Sequence, residues 1–150
     1  LVTGRLDVGV ALAPPLIRAV KSSLPADIPA ILDAPPGTSC PVIAAIRDTD
    51  LVILVTEPTP FGLHDLKLAV EMVRELKLPF GVVVNRMGSG DDRVHEFCRR
   101  EKIDLLLEIP NDRQIAENYS RGMLMVDALP QYRKLFENLI EKITDLKQKG

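Results

Sequence analysis

The run Leu51-Val52-Ile53-Leu54-Val55 leaves this chain the fewest ways to fold. It is unbroken, rich in β-branched residues, and bounded by Asp50 on one side and Glu57-Pro58 on the other. It is too short for a helix and lacks polar alternation, so it reads as a strand with both faces covered. Such strands belong to parallel sheets enclosed between helices. The chain supplies partners: Phe80-Gly81-Val82-Val83-Val84, ending at Asn85, and residues 103–109, ending at Pro110. Residues 63–76 and 91–101 lie between these runs and carry helical spacing, the first with Leu66, Ala69, Val70, Val73 and Leu76 on one face. Strand and helix alternating at this interval imply right-handed βαβ units. The expected class is α/β, a doubly wound and mainly parallel sheet with flanking helices.

The remaining segments fit that plan. Residues 1–8 read as a strand around Gly4, and residues 9–21 as a helix with Leu12, Leu16, Ile17 and Val20 on one face. Pro14-Pro15 falls in its first turn, where a missing N–H costs little. Residues 21–29 form a polar connection, 30–33 a short buried strand, and 41–48 a short helix. Residues 112–120 and 131–149 complete the helices; in the last, Leu135, Leu139, Ile140, Ile143 and Leu146 face inward while Glu137, Glu141, Lys142 and Lys147 decorate the outside. At 150 residues the expectation is one domain, 1–150, with a real core.

Composition narrows the function classes. With 46% apolar and 27% charged residues the chain is globular, and a net charge of -2 gives no field to attract nucleic acid. No apolar run approaches the roughly 20 residues that span a bilayer. Cys40 and Cys98 lie far apart and form no CxxC pair, which fits a reducing, cytoplasmic setting and gives too few ligands for a metal or iron–sulfur site. The chain starts Leu1-Val2-Thr3-Gly4, without Met or a signal-like segment, and reads as part of a longer protein.

Three expected strand ends carry chemistry. Asp33 is followed by Ala34-Pro35-Pro36-Gly37-Thr38-Ser39-Cys40, a loop rich in backbone N–H and hydroxyl groups. Proline cannot join a ladder, so the strand stops at Asp33. Open α/β sheets place ligands at such carboxyl ends, and a hard carboxylate there suits Mg²⁺ and, with it, phosphate; the other reading is a strand-ending acid that caps the next helix. Asn85-Arg86 follows Val84, and Pro110-Asn111-Asp112 follows Ile109. Asn offers one acceptor and two donors for a purine edge, and Asp112 an acceptor for an exocyclic amine or a base N–H. Singly, each is also a favoured helix N-cap. Together on one sheet edge they suggest a nucleotide.

These residues carry a resemblance. The runs Asp33-Ala34-Pro35-Pro36-Gly37-Thr38-Ser39-Cys40-Pro41, Thr56-Glu57-Pro58-Thr59-Pro60-Phe61-Gly62-Leu63-His64-Asp65-Leu66, Val83-Val84-Asn85-Arg86 and Ile109-Pro110-Asn111-Asp112 resemble the MinD/ParA-like branch of P-loop ATPases. That branch includes the Mrp-type iron–sulfur carriers, and the likeness is nearest to MinD-superfamily ATPases with an inserted ferredoxin domain. It implies that Asp33 is the Walker B acid, holding Mg²⁺ through water. Pro35, Pro36, Gly37 and Thr38 would form the switch loop that senses the γ-phosphate. Asn85, with Arg86 beside it, would read adenine, and Pro110, Asn111 and Asp112 would pack on the base. Glu57, Pro58, Phe61 and His64 would link ATP state to partner contact. The resemblance further implies ATP and Mg²⁺ as cofactors, 4Fe-4S clusters only in upstream sequence, a homodimer, and a metal-centre or iron–sulfur client.

One departure stands against the match. No G-x-x-x-x-G-K-[ST] loop occurs in the 150 residues, nor the lysine-bearing variant of this branch. That loop supplies the phosphate cradle, so the chain alone is expected to hydrolyse ATP poorly or not at all. The family's phosphate-loop strand lies between the 30–33 and 51–55 strands. Its absence implies a gap or an open edge, and with it self-association or a sheet closed across the gap. Alternative readings are a non-catalytic Rossmann-like scaffold and an amidotransferase-linked synthetase of the cobyrinic-acid type. His64 reads as a helix cap or a partner contact, His95 as solvated surface, and Cys40 and Cys98 as small packed side chains. Arg99, Arg100 and Lys102 form a solvated basic face. The amphipathic last helix, with its acids and no aromatic anchor, is not expected to insert stably in a membrane.

Overall fold

A computed structural model describes residues 1–5, 13–25 and 27–149. The chain divides into two compact units, Leu1–Thr49 and Asp50–Gly150. In the first, α1 (Ala13–Ser22) packs on α2 (Cys40–Ile46), and the Lys21 ammonium donates to the Arg47 carbonyl. Among its described residues, Val42, Ala45 and Ile46 of α2 are buried. Residues 1–5 are not in a strand, and the rest of the expected 1–8 strand lies outside the described residues. The buried strand expected at 30–33 is corrected: this segment is irregular, and Ile31 is 99% exposed. Strands exist only through ladder partners, and these four residues, bracketed by Pro29 and Pro35, have none among the described residues. Cys40 is exposed at the start of α2, where buried packing was expected.

The second unit holds the sheet. Three parallel strands, β1 (Val52–Thr56), β2 (Phe80–Met87) and β3 (Leu105–Pro110), lie in the order β1-β2-β3. The crossovers run through α3 (Pro60–Glu75) and α4 (Arg93–Arg100). Val82 and Val84 of β2 pack with Leu66 and Val70 of α3 and with Val94, Phe97 and Cys98 of α4. Val83 points the opposite way, into a cluster with Leu106 and Leu107. That cluster is covered by Leu135, Phe136, Leu139, Ile143 and Leu146 of α7 (Arg133–Lys149). The helix–sheet–helix layering is that of the expected α/β class. Burial raises the pKa of Cys98, which packs as expected.

β1 is less covered than its continuous apolar run implies. Val52 and Thr56 are buried, but Ile53 is 38% and Val55 66% exposed. The α7 cluster reaches β2 and β3 and contains no β1 residue, so one β1 face has no cover from it. The outer edge of β1 has no ladder partner among the described residues. At the other edge of the sheet, the Lys142 ammonium donates to the Leu105 and Leu106 carbonyls at 3.2 and 3.0 Å, more than the surface decoration assigned to it. His95 is likewise not plain surface. Its Nε2 pairs with the Glu108 carboxylate, its side chain is 16% exposed, and Nδ1 is buried without a partner among the described residues.

Local signals set the helix ends. Thr59 caps α3 by accepting from the Gly62 N–H at 3.0 Å, with Pro60 in the first turn, so the helix begins three residues before the expected 63. α5 (Arg113–Ser120) is followed by α6 (Met125–Ala128) and a 3-10 turn (Pro130–Tyr132) that leads into α7. Lys77 and Lys102 end α3 and α4 in the left-handed region, both at φ 55, where glycine is the usual residue. Both are exposed. Lys77→Gly and Lys102→Gly should therefore each raise stability by about 0.5–1 kcal/mol, read as a higher urea midpoint at unchanged slope.

Candidate functional site

The three strands of the second unit run the same way, so their carboxyl ends meet on one edge. β1 delivers Thr56, whose hydroxyl donates to the Gly62 carbonyl at 2.9 Å, and then Glu57, Pro58 and Thr59. Thr56 is buried, and its bond fixes the turn from strand to helix. A Cβ on Gly62 would lie 2.3 Å from the Glu57 carbonyl oxygen, so this turn closes only around glycine.

β2 delivers Asn85 and Arg86 on a bulge. The β2–β3 register shifts between Val84 and Met87, and Arg86 takes φ 55, rare for a side-chain-bearing residue. The strand resumes with Met87 opposite Pro110, which is why β2 outlasts its expected end at Asn85. Asn85 Oδ1 accepts from the Arg86 N–H at 3.0 Å, so its amide nitrogen is the end left to donate elsewhere. The Arg86 guanidinium lies 3.6 Å from the Glu57 carboxylate, an exposed pair that orients more than it stabilises. The loops after β1 and β2 interlock: the Asp91 N–H donates to the Pro58 carbonyl at 3.1 Å, and a Cβ on Gly90 would lie 1.6 Å from that same oxygen.

β3 delivers Pro110, Asn111 and Asp112. The Asn111 N–H donates to the Met87 carbonyl at 2.9 Å, tying this loop to the end of β2. Asp112 Oδ1 accepts from the Gln114 N–H at 2.8 Å and caps α5. Oδ2 accepts from the Tyr132 hydroxyl at 2.5 Å. The Tyr132 bond first, and the Gln114 N–H second, lower the Asp112 pKa, while the same carboxylate raises that of Tyr132. Each Asp112 oxygen has one partner within the fold, and the two bonds tie the loop to α5 and to Tyr132. Tyr132 was not legible as a partner, lying 20 residues away on a turn without a motif.

The expected site residues thus fall into two sets. Glu57, Pro58, Asn85, Arg86, Pro110, Asn111 and Asp112 share the carboxyl edge of the second unit, with Phe61, 84% exposed, and exposed His64 on the first turns of α3. Asp33, Pro36, Gly37 and Thr38 lie on an exposed loop of the first unit, with Gly37 at φ 92. Asp33 ends no strand, contrary to expectation. A single exposed carboxylate followed by hydroxyl residues suits Mg²⁺ held through water. No group of three or more potential ligands occurs among the described residues. An iron–sulfur cluster does not fit these residues: Cys98 is buried and Cys40 lies on the other unit. No described helix is long and apolar enough to cross a membrane.

No protein-family model matches the chain. Over 115 residues it is 36% identical to an uncharacterised protein of Methanocaldococcus jannaschii, covering 77% of this chain and 38% of that one. It is 26% identical over 140 residues to the iron-sulfur cluster carrier protein of Pyrococcus horikoshii, covering 80% and 48%. Among solved structures, the cell division ATPase MinD of Pyrococcus furiosus matches with a TM-score of 0.67 at 26% identity, over 89% of this chain and 57% of that one. The septum site-determining protein MinD of Pyrococcus horikoshii, solved with Mg-ADP, matches in fold with a TM-score of 0.66 at 24% identity, over 87% and 55%. The chain belongs to the MinD/ParA-like family of P-loop ATPases. It spans about half the length of the curated relatives it matches, from 38% to 51% in the first three.

Two outcomes follow from this edge. Gly90→Ala forces the loops after β1 and β2 apart and should cost about 1–3 kcal/mol or more in urea unfolding, as other overpacked contacts do. The Asp112–Tyr132 bond has a pH window. Asp112 is shifted below its ordinary 3.8, so its contribution is complete above that value and fades as pH falls through the lowered pKa. Tyr132 is shifted above 10.0, so its contribution is complete below that value and fades as pH rises through the raised pKa. The chain has two tyrosines and no tryptophan. In an ultraviolet titration one tyrosine should ionise late, and Asp112→Asn should abolish the delay.

Proposed function

We propose that the chain is the C-terminal portion of a MinD-like ATP-binding, ATP-hydrolysing switch protein that serves iron–sulfur or metal-centre assembly. The observation that carries this is the carboxyl edge of the parallel sheet. Three strand ends converge there, one on a bulge where Asn85 Oδ1 accepts from the Arg86 N–H. Kinship with an iron-sulfur cluster carrier and with MinD supports the wider role. In this reading the Asn85 amide nitrogen donates to the adenine ring, and Arg86 flanks the base, oriented by Glu57. Pro110 and Asn111 pack on its face, with Asp112 fixing their loop. Asp33 holds Mg²⁺ through water, and Gly37 and Thr38 meet the terminal phosphate. Bound Mg²⁺ supplies charge neutralisation on the phosphates.

Glu57, Pro58, Phe61 and His64 then sit where base occupancy meets a partner surface, a second copy or a client protein. Any 4Fe-4S cluster belongs to sequence outside these residues. The G-x-x-x-x-G-K-[ST] phosphate cradle is not found in the 150 residues either, which in this reading hold the base-reading residues, Asp33 and the switch loop. Calorimetry with ATP and Mg²⁺ on this chain, and on the chain extended upstream to the length of its relatives, tests the reading. Binding by the longer protein alone is expected, weakened about tenfold by Asn85→Ala, the effect of one or two lost hydrogen bonds. Absence of binding in both proteins overturns the reading.

A further inference from the structure

We infer that Tyr132 is a positioning residue of the base-binding edge, bracing through Asp112 the loop that packs on the base. The inference rests on the adenine-reading function proposed above. It starts from what the Asp112 carboxylate already does: one oxygen caps α5 through the Gln114 N–H, and the other takes the Tyr132 hydroxyl. The Asp112 N–H also turns back to the Pro110 carbonyl at 3.0 Å, and the Asn111 N–H is spent on Met87. The loop therefore has three anchors: the end of β2, the first turn of α5, and Tyr132. Only the third comes from outside the β2–β3 neighbourhood.

Tyr132 closes the 3-10 turn immediately before α7, and α7 is held on the sheet by Leu135, Phe136, Leu139, Ile143 and Leu146. The ring is half-buried and its hydroxyl donates to Asp112, so the phenol is a fixed strut between a packed helix and a surface loop. Loops that contact ligands are the least stable part of a fold, and a strut of this kind restricts the loop to one arrangement before ligand arrives. Asp112 belongs to this brace. Tyr132 touches no ligand and acts through its partner.

Tyr132→Phe removes one oxygen and keeps the ring. In the longer protein it should weaken binding of ATP with Mg²⁺ about three- to tenfold, the scale of one ordinary hydrogen bond felt through the loop. Binding of inorganic triphosphate with Mg²⁺, which has no base to position, should be unchanged. Asp112→Asn should weaken ATP binding to a similar degree, and the double variant no more than either single, as expected for one shared interaction. Unchanged ATP affinity in Tyr132→Phe overturns the positioning role while leaving the nucleotide reading intact. Equal loss for ATP and triphosphate also overturns it, since that is general loosening of the fold. Failure of the unsubstituted longer protein to bind ATP removes the function itself, and the positioning role with it.

Discussion

The structure of the second unit depends on β2 being a strand with no solvent face. Val82 and Val84 close one core, Val83 the other, and the side-chain period of two makes these roles non-interchangeable. A slip of one residue would exchange the faces and empty both cores, so the register of β2 against β1 and β3 is strongly specified. The register in turn decides where the apolar run stops. Asn85 stands at that stop because Val84 is the last residue that must be buried.

What happens beyond the stop is a matter of backbone polar groups. A parallel sheet leaves its carboxyl ends with donors and acceptors that no ladder satisfies, and each loop here answers that need in its own way. Thr56 folds back on Gly62, Asn85 on the Arg86 N–H, and Asp112 on Gln114 and Tyr132. These internal bonds determine which ends of the polar side chains face outward. For Asn85 that end is the amide nitrogen. For Asp112 each carboxylate oxygen holds one internal donor, which makes the acid a fastening of the loop.

The sequence disclosed what depends on neighbours in the chain and concealed what depends on neighbours in space. Short apolar runs announced all three strands of the sheet, and Thr59-Pro60 contained the start of α3, although the helix was expected later. The segment 30–33 looked like a strand because its residues are apolar, yet a strand needs a ladder beside it, and apolarity alone does not provide one. Ile53 and Val55 were read as covered because their run is continuous, but cover comes from helices whose reach the run does not encode. Cys40 and His95 were misjudged in opposite directions, one exposed and one engaged with Glu108, since local composition says little about a single side chain's surroundings. Of the expected site, the residues after β1, β2 and β3 came together on one edge, whereas Asp33, expected at a strand end, ends no strand. The brace from Tyr132 was invisible because nothing between positions 112 and 132 marks them as partners.

The interlock between Pro58 and the Gly90-Asp91 segment has a mechanical meaning. One carbonyl oxygen receives the Asp91 N–H and leaves no room for a side chain at position 90, so the two loops share a single backbone joint. The Glu57 loop and the loop behind Arg86 cannot shift separately without breaking that bond. Exchange of the Asp91 amide proton with solvent therefore clocks the opening of the joint, and through it the concerted movement of two segments that are over thirty residues apart in sequence.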